Sequence, residues 1–574
     1  MKSLLLPLLI PLSLLGLSDQ ELKNRMHSDL NTIKNIFEIQ YAPLEWKQSY
    51  SGLNIEAEIE RAKNEISFTP NIEIKDYQCI LKKFFNSMQD HHVHVSFYRT
   101  ESARLPFRLK SSKGRYFISS VNRKILPENC LLQIGDEVIS FNGVPIAEVI
   151  QQFQDQEFGS GTPAHKALAE ISFHRRDGAS GHQVPQGEVI LSIVHKNENE
   201  EIFYHLEWNY TNEDIQDFPS MPMQVLSINA EGILKDNHKK LNQNPLFKKS
   251  MLSPYFEMLK QEEGFKAGEG LGDRTSFIPA LGKKIWVSNP QSHFHAYLFE
   301  TPDQHRYGYI RIPSYNGSAL EFNEFKELIA RFEEDSEVLI IDQVNNPGGS
   351  LFYMYALAST LTDRPLMIPP HRITITQKEI ASALDMLPSF DQIETDEEAI
   401  DAIGEEFDGL PVNVATAQQM ANYFRFLVSQ WNLGITFTSP CHLWGYDFLM
   451  PDPEVQYSKP ILILINQLDF SCAEFFPSIM QDNQRAILLG TTTGGAGGFV
   501  LKAEYPNMFG IKNFSYTGSI AYRSNNNPIE NLGVTPDFDY ELSVEDLTQF
   551  YIFYKEKILE CVKNLTFENA KLGP

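Results

Sequence analysis

DFSCAEFF (469–476) follows the apolar run ILILINQ (461–467) after a single leucine. The run reads as a buried strand, the next residues as a short turn, and the rest as a helix that opens on Ser471. A hydroxyl at that place sits at the positive end of a helix, beside backbone N–H groups with no intrahelical acceptor. Nucleophilic attack on a carbonyl creates an oxyanion that needs such donors. A serine before a helix is also the ordinary N-cap, so Ser471 gains weight only from what surrounds it.

Upstream, VLIIDQ is a second buried strand, NNPGGS (345–350) a turn and LFYMYALASTLT a helix. The two glycines allow several N–H groups to turn toward one point. A phosphate loop, an oxyanion hole and a plain turn all use that chemistry. No Lys-Ser or Lys-Thr pair follows, which disfavours a nucleotide loop. Paired with the Ser471 helix, an oxyanion hole is the better reading. YGYIRIPSY, LEFNEFKELIARFEED and AILLGT continue the alternation of strand and helix. The fold class is therefore α/β, with a mainly parallel sheet covered by helices.

Between about residues 95 and 208 the pattern changes to strands and turns. CLLQIGDEVISFNGVPIAEVI holds a tight turn at Gly135-Asp136, a strand, a hairpin turn at Asn142-Gly143 and a helix after Pro145. This resembles the core of PDZ domains, although the Gly-Leu-Gly-Phe carboxylate loop is not evident. Residues 19–94 carry apolar residues at helical spacing, as in CILKKFFNSMQD. Residues 212–285 mix Asn, Gln, Lys and Gly with scattered apolar residues. They read as a linker, with 251–270 a candidate lid. The resulting division is 1–18, 19–94, 95–211, 212–285 and 286–574.

The 574 residues are 42% hydrophobic and 21% charged, as in a globular protein. The net charge of −25 is spread along the chain. A nucleic-acid partner needs a basic face and is not expected. MKSLLLPLLIPLSLLGLSDQ has a charged start, an apolar stretch and small residues at 16–18, the pattern of a secretory signal peptide over 1–18. Stable membrane insertion is not expected from the remainder. Five cysteines are few and scattered, with no disulfide framework or metal spacing. No cofactor and no metal is expected.

The order NPGG (346–349), Ser471-x-x-Glu474, a Gly-Thr-rich turn (490–498) and GVTPD (533–537) resembles the carboxy-terminal processing, or tail-specific, serine proteases. An upstream PDZ-like domain fits the same family. The resemblance implies a ClpP/crotonase-like core and protein or peptide substrates. It implies that Ser471 is the nucleophile, and that the N–H groups of Gly348 and Cys472 hold the oxyanion. One departure is sharp: the family's lysine base lies in the Gly-rich turn, where this chain has Ala496. A serine hydroxyl needs a base to take its proton. Either another base is recruited or the chain is a pseudo-protease that only holds peptides.

DHHVHVSF (90–97) offers imidazoles, whose protonation changes near neutrality. His91, His92 and His94 also invite a metal reading, but no HExxH pattern or partner cluster accompanies them. An early His, an absent Lys and an intact serine helix resemble one branch of the family, that of the chlamydial protease-like activity factor. DHHVHVSFYRTESARLPF, TTGGAGGFV and IENLGVTPDFD all look like it. That resemblance implies a Ser-His-Glu triad of Ser471, His92 and Glu530, with His91 as the neighbouring alternative to His92. It also implies an inactive precursor that cuts itself, a homodimer, and export to a periplasm, to the exterior or to a host cytosol. Glu474, one helical turn past Ser471, reads as a capping-box residue.

Overall fold

The computed structural model describes residues 18–159, 161–214, 264, 265 and 268–572. Residues 1–17 of the expected signal peptide and most of the expected lid, 251–270, lie outside the described residues.

A seven-stranded sheet forms the C-terminal half. Its order is Lys283–Val287, His295–Glu300, Arg306–Arg311, Val338–Asp342, Ile461–Ile465, Ile487–Gly490 and Phe538–Asp539. The first two pairings are antiparallel; those from Arg306–Arg311 onward are parallel. Every side chain of Val338–Asp342 and Ile461–Ile465 is buried. Helices cover both faces of these central strands, so the sequence there runs apolar without alternation. Ala319–Asp335, Leu351–Ser359 and Cys472–Asp482 pack on one face and Ile552–Leu572 on the other. The long insertion between strands is helical. Gln377–Phe390 and Val414–Asn432 pack together and extend the same core.

The PDZ-like domain is an antiparallel sheet of Phe107–Ser112, Arg115–Val121, Glu137–Phe141, Glu188–Val194 and Glu201–Glu207. Asn142 and Gly143 have φ of 52° and 77°, as a primed hairpin turn requires. Phe141 pairs with Val144 across it, and the helix Ile146–Glu157 starts directly after Pro145.

Four helices, Asp19–Gln40, Leu44–Tyr50, Ile55–Phe68 and Ile74–Asn86, make the N-terminal region. Their apolar faces share a core with Phe509, Ile511, Phe514 and Tyr516 from near the other end of the chain. The strand His94–Phe97 joins this arrangement rather than the PDZ-like sheet. It pairs antiparallel with Ile511–Thr517, setting His94 opposite Ser515. Val95 and Phe97 thereby bury their side chains in the helical core. A long-range pairing of this kind leaves no periodic mark in either short segment. Among the described residues no helix is long and apolar enough to cross a membrane.

Candidate active site

The loops after the two central strands build the site together. The Asp469 carboxylate is fully buried and accepts the N–H of Asn346 at 2.9 Å and the N–H of Asn466 at 3.0 Å. Phe470 returns its N–H to the Asn346 carbonyl at 3.0 Å. The 345–350 loop is thus laced to the residues just before Ser471.

Ser471 has φ 60° and ψ −119° and is fully buried. This conformation is costly for any residue with a Cβ and is kept only where the surroundings enforce it. It presents the side chain at the N-terminus of Cys472–Asp482, whose first N–H, that of Cys472, has no acceptor within the helix. Gly348 faces the same spot at φ 95°. A Cβ there would lie 2.7 Å from both Phe470 O and Ser471 Cβ, so only glycine allows the approach.

The N–H of Gly348 donates to Asn346 Oδ1 at 2.9 Å, inside its own loop. The Gly348 carbonyl accepts from Tyr315 N at 2.9 Å, and Ser350 N donates to Tyr315 O at 2.7 Å. A trans peptide places N–H opposite C=O, so the Gly349 N–H points away from Tyr315. The Gly349 carbonyl accepts the Cys472 thiol at 3.5 Å, which puts the Ser471 helix on that side of the loop. Burial pushes the Cys472 thiol well up, so it is an inert S–H rather than a thiolate.

Glu474 does not cap its own helix. Its carboxylate accepts the N–H of Ala496 at 2.6 Å and the Thr493 hydroxyl at 3.3 Å, and so braces the Gly-rich turn. The sequence expectation of a capping box is corrected on this point. The turn meets Ser471 at Ala496, whose carbonyl accepts the Ser471 N–H at 3.2 Å, and the Glu474 side chain does not occupy the first amides of its own helix. Burial, above all, holds the Glu474 carboxyl well above the usual range.

His92 is fully buried, and neither ring nitrogen has a hydrogen-bond partner. Its backbone is fixed on both sides: its N–H donates to Asp90 Oδ1 at 2.8 Å and its carbonyl accepts Ser515 Oγ at 2.7 Å. The Tyr41 and Thr517 hydroxyls hold the other Asp90 oxygen at 2.8 and 2.7 Å. Burial lowers the His92 pKa to about 4; Asp90 works against that shift and Lys47 adds to it. The imidazole is therefore neutral at pH 7. The His91 ring packs at a tilt 5.0 Å from the ring of Phe470, next in sequence to Ser471, and 4.5 Å from the ring of His165. Burial, with His165, Lys47 and His92 beside it, holds the His91 imidazole well below its ordinary range.

Glu530 is fully buried one loop further on. It accepts Lys47 Nζ at 2.5 Å and the N–H of Gly497 at 3.2 Å. Burial and the nearby Asp90 carboxylate push its pKa up to about 7, against the pull of Lys47. The fold thus brings Ser471, His92 and Glu530 into one buried region drawn from both ends of the chain. It does not join the imidazole by hydrogen bonds to either partner. Lys47 and Asp469 are the members that sequence reasoning missed. Nothing in LEWKQSY marks one lysine of a seven-residue helix as buried, and Asp469 was quoted in the motif without a role.

Comparison with known proteins settles the family. The model of peptidase family S41 matches residues 306–540, and a PDZ domain model matches 101–216. A protein of Chlamydia muridarum is 34% identical over 561 residues, which cover 94% of this chain and 92% of that one. This chain belongs to peptidase family S41. A Chlamydia pneumoniae protein is 33% identical over 98% of this chain and 94% of its own length. The crystal structure of mature CPAF, the chlamydial protease-like activity factor, is 31% identical, with a TM-score of 0.81 over 95% of this chain and 98% of that one. A CPAF mutant matches with a TM-score of 0.84, again over 95% and 98%. This S41 protein is a serine-type peptidase with a PDZ domain, and proteins or peptides are its substrates.

Proposed function

We propose that this S41 peptidase is an exported endopeptidase that works through a Ser471–His92–Glu530 triad and is made as a self-processing precursor. The observation that carries the reading is the strained Ser471 at a helix N-terminus, locked against the 345–350 loop. A neutral His92 with two uncommitted ring nitrogens is the fitting base.

His92 takes the Ser471 proton as the oxygen attacks the peptide carbonyl. The Cys472 N–H and the N–H groups of the Gly348–Gly349 turn receive the oxyanion. Gly349 points its N–H toward that side, and Gly348 joins by exchanging Asn346 Oδ1 for the substrate oxygen. Each such donor is worth roughly 3 kcal/mol of barrier. His92 then protonates the leaving amine, and water releases the acyl group. Glu530 stabilises the imidazolium in between.

Latency has a physical basis in this reading. The His92 ring is not hydrogen-bonded to Ser471 or Glu530 in the full-length chain, so a rearrangement must precede turnover. The described end of the 212–285 segment lies against the same loops. Gly272 donates its N–H to the Asn345 carbonyl at 2.9 Å, and Leu271 is buried with Leu468, Phe470 and Ala496. Cutting upstream of that contact would release it. Residues 1–18 serve as the export signal, leading to a periplasm or beyond, and the mature form is a homodimer.

Mass spectrometry of the purified wild type beside Ser471→Ala tests the reading. Internal cuts within 212–285 are expected in the wild type alone. A fluorophosphonate probe should label Ser471, and His92→Ala should abolish the labelling while His91→Ala retains part of it. Internal cutting of pure Ser471→Ala, or labelling that survives His92→Ala, rejects the scheme.

A further inference from the structure

The family's lysine is absent from the Gly-rich turn, yet a fully buried lysine reaches the site from the other end of the chain. Lys47 sits on the short helix Leu44–Tyr50. Its Nζ lies 2.7 Å from the carbonyl of Gln89 and 2.5 Å from Glu530 Oε1. Gln89 immediately precedes the Asp90–His91–His92 segment and has φ 48°. The same carbonyl accepts Asn531 Nδ2 at 2.9 Å, and Trp46 Nε1 donates to Asn531 Oδ1 at 3.2 Å. Consecutive residues 46 and 47 therefore engage consecutive residues 531 and 530, and both pairs converge on the loop that carries the histidine.

We propose that Lys47 is a positioning residue: its ammonium ties the His92 loop to the Glu530 loop, fixes Glu530 for the imidazole and favours its charged form. The inference rests on the Ser471–His92–Glu530 reading.

The chemistry of the surroundings explains why a cation is needed. Glu530 is faced by Tyr41 from the first helix, by Asp90 from the histidine loop and by Glu474 from the nucleophile helix. Two of these are carboxyl groups, and all are buried. Lys47 is the cation set against this group, and the Gly497 N–H adds a neutral donor. Without the ammonium, Glu530 would hold its proton to still higher pH and lose more of the charge that stabilises an imidazolium. Lys47 does not use up the carboxylate. Each oxygen carries two acceptor sites, so Glu530 bonded to Lys47 and Gly497 can still receive an imidazole N–H. Arginine would retain the charge with a different reach, and methionine would retain the volume alone.

The test is the rate of fluorophosphonate labelling of Ser471 in the full-length chain between pH 5 and 9. Wild type, Lys47→Met and Lys47→Arg are compared, with Ser471→Ala as the blank. Lys47→Met should label at least tenfold more slowly at pH 7, with its acid limb moved at least one unit higher. Lys47→Arg should keep the wild-type limb. A Lys47→Met limb that coincides with the wild type overturns the role while leaving the triad intact. A wild type that is not labelled on Ser471 overturns the triad reading, and this role with it. Should Lys47→Met fold poorly, Lys47→Met/Glu530→Gln removes both charges and replaces it. A positioning role requires the double variant to keep the acid limb of Glu530→Gln alone, and a limb moved a further unit higher overturns it.

Discussion

Ser471 donates its backbone N–H to the carbonyl of Ala496 at 3.2 Å, so the position that the resemblance assigns to the family's lysine lies flush against the proposed nucleophile. The site of the missing base is present; what changed is its lining. Ala496 is fully buried among Leu168, Leu271, Leu468 and Phe470. Restoring the lysine there would force a long, charged side chain into that packed apolar cluster, and the adjacent Glu474 and Glu530 carboxyl groups are already committed to other donors. Ala496→Lys is expected to cost about 4 kcal/mol of stability. It should not restore probe labelling in a His92→Ala background. Chemical denaturation and labelling of the double variant check both halves of this expectation.

The backbone at Ser471 makes a second, opposite expectation. With φ 60° and ψ −119° it occupies a region that glycine enters freely. Ser471→Gly relieves strain of order 1–3 kcal/mol, offset in part by glycine's greater freedom when unfolded. It should be more stable than wild type by about 1 kcal/mol, although it is inactive, whereas Ser471→Ala should gain nothing. Equal unfolding midpoints for the two variants would show that the strain is not stored there.

The histidines set an acid sensitivity whose sign can be worked out. Burial lowers the pKa of both His92 and His165 to about 4. Between about pH 4 and 6.5 the unfolded chain binds these protons and the native chain does not. Each group therefore contributes stability that is complete above pH 6.5 and is lost as pH falls through 4, at about 1.4 kcal/mol per pH unit. Glu530, raised to about 7, has the reverse effect. Its contribution is complete below the ordinary carboxylate pKa and is lost as pH rises through 7. Urea unfolding at pH 5 and 6.5 should show that His165→Gln flattens the rise of stability with pH and that Glu530→Gln steepens it. The two slopes moving the same way would contradict the assignment.

What could be read in advance follows the physics of each feature. The parallel core was legible because strands buried on both faces are uniformly apolar, as in ILILI. The PDZ-like hairpin was legible because Asn142-Gly143 satisfies a backbone requirement that few residues meet. The loop around Ser471 was legible through Gly348, whose close approach only glycine allows, and through the place of Ser471 between a buried strand and a helix. The resemblance supplied His92 and Glu530; no spacing rule joins positions so far apart. Lys47, Asp469 and the pairing of His94–Phe97 with Ile511–Thr517 were illegible for the same reason. Each is defined by partners distant in sequence, and its own neighbours look ordinary. Glu474 was read with the nearest acceptor logic, a cap, and the tertiary turn at 493–496 overrode it.

The strand pairing leads to the last expectation. Ser515 Oγ donates to the His92 carbonyl at 2.7 Å, so the serine of one chain end fixes the histidine of the other. Both groups are buried, and Ser515→Ala leaves the carbonyl without that donor. A lost buried hydrogen bond of this type costs about 1–2 kcal/mol. The catalytic consequence should exceed the loss of fold stability in its effect. In the proposed triad, a His92 ring free to drift by a fraction of an ångström aligns less well with Ser471, while the residues that touch substrate are unchanged. On a peptide substrate, kcat should fall about tenfold or more with KM nearly constant. Ser515→Thr, which keeps the hydroxyl, should recover most of the rate. A KM increase in Ser515→Ala without a fall in kcat would place the effect in substrate binding and refute the alignment argument.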